Sequence, residues 1–125
     1  MTGYVEHTDE FGEWWDTLDA ELQNAIDVAV GLLEEKGPEL PFPFSSGIGQ
    51  SRDSHMRELR VQHRGKPSRI LYAFDPRRIA ILLTGGLRTG DGRWYEKHVP
   101  KADDLYDEHL REIRMEGGED GQEVL

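Results

Sequence analysis

The spacing of apolar residues changes once along this chain, and that change constrains the fold more than any other feature. Up to Lys36 they recur every three or four residues: Phe11, Trp14, Trp15 and Leu18, then Leu22, Ile26, Ala29, Leu32 and Leu33. Such spacing lines one side of a helix. From Leu59 the interval is two. Leu59 and Val61 alternate with Glu58, Arg60 and Gln62, and Ile70, Tyr72 and Phe74 share one face of the next segment. Ile79 to Leu83 is apolar throughout, as in a strand covered on both faces. The stretch between the two patterns, Pro38 to Asp53, holds Pro41, Pro43, Gly47 and Gly49 and reads as a loop. The order predicts an α+β domain: two N-terminal helices packed on a central antiparallel sheet, then one C-terminal helix.

Local signals set the boundaries. Gly3 to His7 is a candidate first strand. Thr8 is a candidate N-cap, with Asp9 and Glu10 suiting the first turn. The second helix spans about Asp19 to Lys36 and stops at Gly37-Pro38. Three central strands are expected at about 57–62, 69–74 and 79–84, joined by turns at Arg64–Pro67 and Asp75–Arg78. Gly85 to Gly92 reads as a glycine-rich loop. Arg93-Trp94-Tyr95 is expected to extend the sheet edge. Pro100 suits the first position of the last helix, whose stripe is Ala102, Leu105, Tyr106, His109, Leu110 and Ile113. One domain over residues 1–115 follows, with an acidic tail over 116–125 expected to be disordered.

Composition removes several kinds of chemistry. There is no cysteine, so no disulfide or thiolate metal site forms. The five histidines do not pair at ligand spacing, so neither a zinc site nor a cofactor is expected. The polar, acidic first ten residues are unlike a signal peptide, and no apolar run approaches the length of a membrane span. A cytoplasmic protein without membrane partners is expected. The formal charge of −10 hides an asymmetry. Arg52 to Lys101 carries twelve Lys and Arg against five Asp and Glu, whereas the remainder carries three against twenty. A basic middle between acidic ends points to an anion-binding face, or alternatively to a mixed charged surface that maintains solubility.

The cations of that middle are mostly arginine, whose planar fork matches pairs of phosphate oxygens. Arg60 and Arg69 fall on neighbouring strands across a tight turn and could converge on one phosphate. Arg88 and Arg93 lie in the following segment. Tyr95 and His98 add two titratable groups, and Arg57, Arg64, Lys66 and Lys97 extend the basic surface. Arg77 and Arg78, at the opposite turn, are expected to be only solvated. Such a set suits metal-free RNA cleavage, in which a 2′-hydroxyl attacks phosphorus, a base removes its proton, arginines stabilise the phosphoryl charge, and an acid protonates the leaving oxygen. Nearby arginines would lower the Tyr95 pKa and make it a base. His98 could serve as acid or base. The plainer alternative is that Trp94 and Tyr95 merely cover the sheet edge.

Several segments together resemble the RelE/ParE toxin superfamily: Arg57-Glu58-Leu59-Arg60, then Ser68 to Asp75, then Ile81-Leu82-Leu83. Gly85-Gly86, Thr89-Gly90-Asp91, Arg93-Trp94-Tyr95-Glu96 and Ala102-Asp103 with Leu105-Tyr106 resemble its HigB-like, phage-related branch. The resemblance covers roughly Tyr4 to Arg114. It implies a ribonuclease-like fold and a type II toxin–antitoxin toxin that cuts messenger RNA on the ribosome. It also implies a co-expressed antitoxin of the helix-turn-helix, HigA-like kind. By the same resemblance Arg60, Arg69 and Arg88 would contact phosphate, and Tyr95 or His98 would be the terminal catalyst. Many relatives carry lysines in the first basic strand, where this chain has Met56 and Glu58, and such toxins are usually basic. The alternative within the superfamily is a ParE-like binding protein that inhibits DNA gyrase. Outside it, an interaction module organised by the acidic ends remains.

Overall fold

A computed structural model describes residues 4–53, 55–88 and 93–124, with side chains described as far as residue 116. The chain runs β1 (Val5–His7), α1 (Asp9–Asp16), α2 (Ala20–Lys36), a 3-10 turn (Gly37–Glu39), β2 (Ser45–Gly47), β3 (Arg57–His63), β4 (Lys66–Phe74), β5 (Ala80–Leu87) and α3 (Arg93–Val124). The five strands form one sheet in the order β1-β5-β4-β3-β2. β1 lies parallel to β5, and every other pairing is antiparallel. The expected α+β class, the two leading helices, the three central strands and the final helix are all present. Among the described residues no helix is long and apolar enough to cross a membrane.

The helix starts follow from capping. Thr8 accepts the Phe11 N–H through Oγ1 at 3.0 Å and donates the same hydroxyl to the Leu83 carbonyl at 2.7 Å, which fixes α1 to β5. Asp19 caps α2 through the Leu22 N–H. Gly37 ends α2 at φ +57°, a left-handed conformation that glycine adopts without steric cost.

Strand alternation divides the core in two. Leu59, Val61, Ile70, Tyr72, Ala80 and Leu82 meet Phe11, Ile26 and Leu33 of α1 and α2. Leu71, Ala73, Ile81 and Leu83 meet Trp94, Val99, Ala102 and Tyr106 of α3. The sheet is therefore a middle layer, and β4 and β5 are buried on both faces. A bulge lets Leu71 face Thr84 and Tyr72 face Leu82, skipping one residue of β5. It resets the alternation, so Gly85 faces Trp14 of α1 while Gly86 faces Trp94 of α3.

Four sequence expectations are corrected. The segment Pro38–Asp53 is not loop throughout: it contains the 3-10 turn and the edge strand β2, whose Ser45 is buried and shares a 2.6 Å hydrogen bond with the Tyr72 hydroxyl. Gly85 and Gly86 belong to β5 rather than to a loop, because two tryptophans pack where their side chains would be. Arg93-Trp94-Tyr95 does not extend the sheet, since β1 occupies that edge; these residues form the first turn of α3. Pro100 consequently lies inside α3 and not at its first position, at the cost of one helical hydrogen bond. The β5–α3 segment 89–92 and residues 1–3 lie outside the described residues, and with them Gly3, Thr89, Gly90 and Asp91 of the sequence reading.

Candidate active site

Period two along β3 puts Glu58 and Arg60 on the α3 face of the sheet, and the register sets Arg69 of β4 directly opposite Arg60. The centre of the group is a residue that sequence reasoning treated only as a departure from lysine. The Glu58 side chain is 6% exposed and Arg69 is 7% exposed. Glu58 Oε1 accepts a 2.6 Å hydrogen bond from the Tyr95 hydroxyl and stands 3.4 Å from Arg69 Nε. Its Oε2 accepts from Ser46 Oγ at 2.6 Å and Arg60 Nη1 at 3.1 Å. Arg69 is steadied through Nη1 by the Ser68 carbonyl at 3.0 Å.

The first turn of α3 supplies the other wall. The Arg88 guanidinium lies 5.5 Å from the Tyr95 ring centroid. Trp94 lies over Gly86, where an added Cβ would come 2.8 Å from indole Nε1. His98 stacks on Trp94 at 4.2 Å and bonds through Nδ1 to the Trp94 carbonyl at 2.8 Å. Because a carbonyl only accepts, Nδ1 carries the proton, which leaves Nε2 of the neutral ring as an acceptor facing Gly86.

Electrostatics reverse one expectation. Burial pushes the Tyr95 hydroxyl above its ordinary pKa, and Glu58 adds to the rise; Arg69 opposes it without prevailing. Tyr95 is therefore a proton donor near neutrality and not the lowered-pKa base that its arginine neighbours suggested. Burial pushes His98 below its ordinary value, and Lys97 and Lys101 add to this against the Trp94 carbonyl, so the ring is neutral near pH 7.

Two buried N–H groups around this centre, Arg88 Nε and Trp94 Nε1, have no hydrogen-bond acceptor among the described residues, and a third, Arg69 Nε, has only the 3.4 Å ion-pair contact with Glu58 Oε1. Buried donors are rarely left so, and each costs about 1–3 kcal/mol. Two of the three belong to arginines, whose guanidinium groups put positive charge beside Glu58 and Tyr95, a setting suited to an anion.

The structure thus brings together Arg60, Arg69, Arg88, Tyr95 and His98. It places the other basic residues elsewhere. Arg57 lies on the opposite face, donating to Ser45 Oγ at 2.9 Å. Arg64, in the β3–β4 turn, pairs with Glu21 of α2. Lys66 begins β4 opposite His63. Arg93 opens α3, and Lys97 is exposed on it. Arg77 is not merely solvated: it binds Asp75 and Glu6. Glu58 was legible in one respect, since it shares a strand face with Arg60 two residues on; Ser46 carried no signal, because its strand is only three residues long.

The fold is that of RelE-like proteins. The isolated RelE toxin of E. coli superposes with a TM-score of 0.55 over 75% of this chain and 93% of that one, at 10% identity, a likeness of fold alone. The sequence pattern of the phage derived protein Gp49-like family (DUF891) matches residues 13–107. With the sequence relatives below, this shows that the chain belongs to that family, together with HigB-named relatives. Two relatives in Mycobacterium tuberculosis bear toxin names. HigB2 is 36% identical over 113 residues, 89% of this chain and 56% of that protein. HigB3 is 41% identical over 91 residues, 72% of this chain and 78% of that protein. The chain thus spans little more than half the length of HigB2.

Proposed function

We propose that this chain is the toxin of a toxin–antitoxin pair and cuts RNA at the Glu58–Tyr95 site without a metal. The observation that carries the reading is the carboxylate–phenol pair of Glu58 and Tyr95 set among the guanidinium groups of Arg60, Arg69 and Arg88. A phosphodiester entering the site lies beside the positive charge of Arg60, Arg69 and Arg88. The adjacent 2′-hydroxyl takes the place of the Tyr95 hydroxyl at Glu58 Oε1 and gives its proton to that carboxylate as it attacks phosphorus. The bond from phosphorus to the 5′-oxygen breaks, and Tyr95 protonates that oxygen. The products are a 2′,3′-cyclic phosphate and a 5′-hydroxyl. Glu58 then returns its proton to the Tyr95 oxygen along the 2.6 Å contact, so the cycle closes with no external acid or base. The arginines stabilise the phosphoryl charge, most strongly at the transition state.

Messenger RNA on the ribosome is the substrate proposed, and a helix-turn-helix antitoxin of the HigA kind is the partner that silences the site. Expression of the chain alone should arrest growth and cut transcripts, and co-expression with the neighbouring antitoxin gene should prevent both. A chain that leaves RNA intact in cells would sink the reading.

A further inference from the structure

Two phenylalanine rings stand open to solvent on the β2 side of the candidate active site. Phe42 is 68% exposed and Phe44 44% exposed, and neither belongs to either half of the core. Apolar side chains exposed singly are ordinary; two rings beside one active-site arginine are not. The turn that carries them is nevertheless fixed. The Phe44 and Ser45 N–H groups donate to the Pro41 carbonyl at 3.0 and 3.1 Å, and the Phe44 carbonyl accepts the Arg60 N–H at 2.9 Å. The register that sets Ser46 opposite Glu58 thus sets Phe44 opposite Arg60. The Arg60 guanidinium lies 5.2 Å from the Phe42 ring centroid and donates to Glu58 Oε2 at 3.1 Å. One arginine therefore joins the rings to the carboxylate of the Glu58–Tyr95 pair.

We propose that Phe42, with Phe44 beside it, is a stacking platform for one nucleobase of the RNA strand, next to the phosphate cut at Glu58. This rests on the ribonuclease reading above. A nucleobase is a flat ring with a phosphate attached through its sugar. It can lie on the exposed Phe42 ring while Arg60 meets the phosphate, and a turn already fixed loses little freedom when its ring is covered. Arg60 keeps charge for a phosphate because its carboxylate partner, Glu58, is shared with Arg69. A protein partner would need a broad apolar patch. The other exposed large apolar side chains among the described residues, Tyr4, Val28, Leu87 and Met115, all lie outside the segment from Pro41 through β3. Stacking accepts any base, so the platform holds the strand without reading its sequence.

The probe is a 2′-O-methyl RNA trinucleotide, which cannot be cut because its 2′-oxygens carry no proton, titrated into the full chain and followed by NMR. Saturable upfield shifts of the Phe42 ring protons are expected, as when a base covers an aromatic face. Phe42→Leu keeps an apolar side chain but removes the flat face, and should weaken binding roughly fivefold to a hundredfold; Phe42→Trp should restore it. Because the ring is exposed, both variants should keep the parental thermal midpoint. In a cleavage assay Phe42→Leu should raise KM and leave kcat in place. The proposal is overturned if Phe42→Leu binds and cuts as the parent does, or if Phe42→Trp is as weak as Phe42→Leu. Ring shifts with the co-expressed antitoxin, and none with the trinucleotide, would overturn it in favour of protein docking. Stacking on Phe42 in a chain that cuts no RNA would sink the ribonuclease reading and leave the platform standing.

Discussion

Two buried carboxylates sit beside β4, Asp75 just past its end and Glu58 opposite Leu71 in its middle, both with arginine, and they differ in how completely their neighbours are satisfied. Asp75, just past Phe74, has a fully buried side chain. Its Oδ1 accepts from the backbone N–H groups of Arg77 at 2.8 Å and Ile79 at 3.2 Å. Its Oδ2 accepts from Arg77 Nε at 3.0 Å and Nη2 at 2.7 Å, and from His109 Nε2 at 2.9 Å. None of the unsatisfied buried donors found among the described residues belongs to this group. Around Glu58, which faces Leu71 about 13 Å back along the strand at about 3.3 Å per residue, Arg88 Nε and Trp94 Nε1 have no acceptor among the described residues and Arg69 Nε has only its 3.4 Å ion-pair contact. A complete network ties elements together: here the β4–β5 turn to α3 and, through Glu6, to β1. An incomplete one carries a standing cost. On the proposed reading, similar residues serve structure at Asp75 and chemistry at Glu58.

The sharpest way to break this contrast is to change each carboxylate and measure both properties. Glu58→Gln keeps the size of the side chain but removes the proton acceptor, and cleavage should fall by about a hundredfold to ten-thousandfold, with the fold retained. Arg88→Ala removes one donor from the developing charge and should cost about two to three orders of magnitude in kcat, read in the same assay. Retention of parental cleavage by either variant would mean that the Glu58 group, like the Asp75 group, is structural.

The opposite pattern is expected at Asp75. Asp75→Ala strands Arg77 and His109 and should lower unfolding stability by about 3–5 kcal/mol in denaturant titration. Catalytic rate per folded molecule should be unchanged. Burial pushes the Asp75 carboxyl up, but His109, Arg77 and the Ile79 and Arg77 backbone N–H groups outweigh it and hold it below its ordinary value. A carboxylate depressed on folding contributes stability above its unfolded pKa and loses it as pH falls through the folded one. The parent should therefore lose stability below about pH 4, and the Asp75→Ala variant should show a shallower acid loss.

The smallest effect is expected at Gly86. An alanine Cβ there would press on Trp94 Nε1 at 2.8 Å and approach His98 Nε2 at 3.3 Å. Overpacking of this kind costs about 1–3 kcal/mol, and displacement of Trp94 should lower cleavage further than the stability loss explains. Equal loss of folded fraction and total activity would remove Trp94 from the site.

Much of the fold was legible because long elements impose their period on sequence. The stripe from Leu22 to Leu33 and the alternation through Leu59, Val61, Ile70 and Tyr72 each report a buried face directly. β2 was not legible, since Ser45-Ser46-Gly47 is too short to show alternation and is held by pairing with β3. The start of α3 was hidden behind Pro100, although Trp94, Val99, Ala102 and Tyr106 do mark one side of a helix that runs through it. In the site, the meeting of Arg60 and Arg69 followed from strand period and turn length. The sign of the Tyr95 shift did not, because it depends on burial and on which neighbour its hydroxyl meets. Counting arginines omitted Glu58, whose oxygen lies 2.6 Å away.

The central claim, that Glu58 and Tyr95 run a proton cycle which cuts RNA, is tested most directly by the chemistry of the cut ends. Total RNA would be collected after brief expression of the parent and of Glu58→Gln, each without antitoxin, and the fragment termini analysed. The account predicts new 2′,3′-cyclic phosphate and 5′-hydroxyl ends with the parent and their loss with Glu58→Gln at equal protein level. Unchanged ends with Glu58→Gln, or intact RNA with the parent while DNA supercoiling stops, would contradict it.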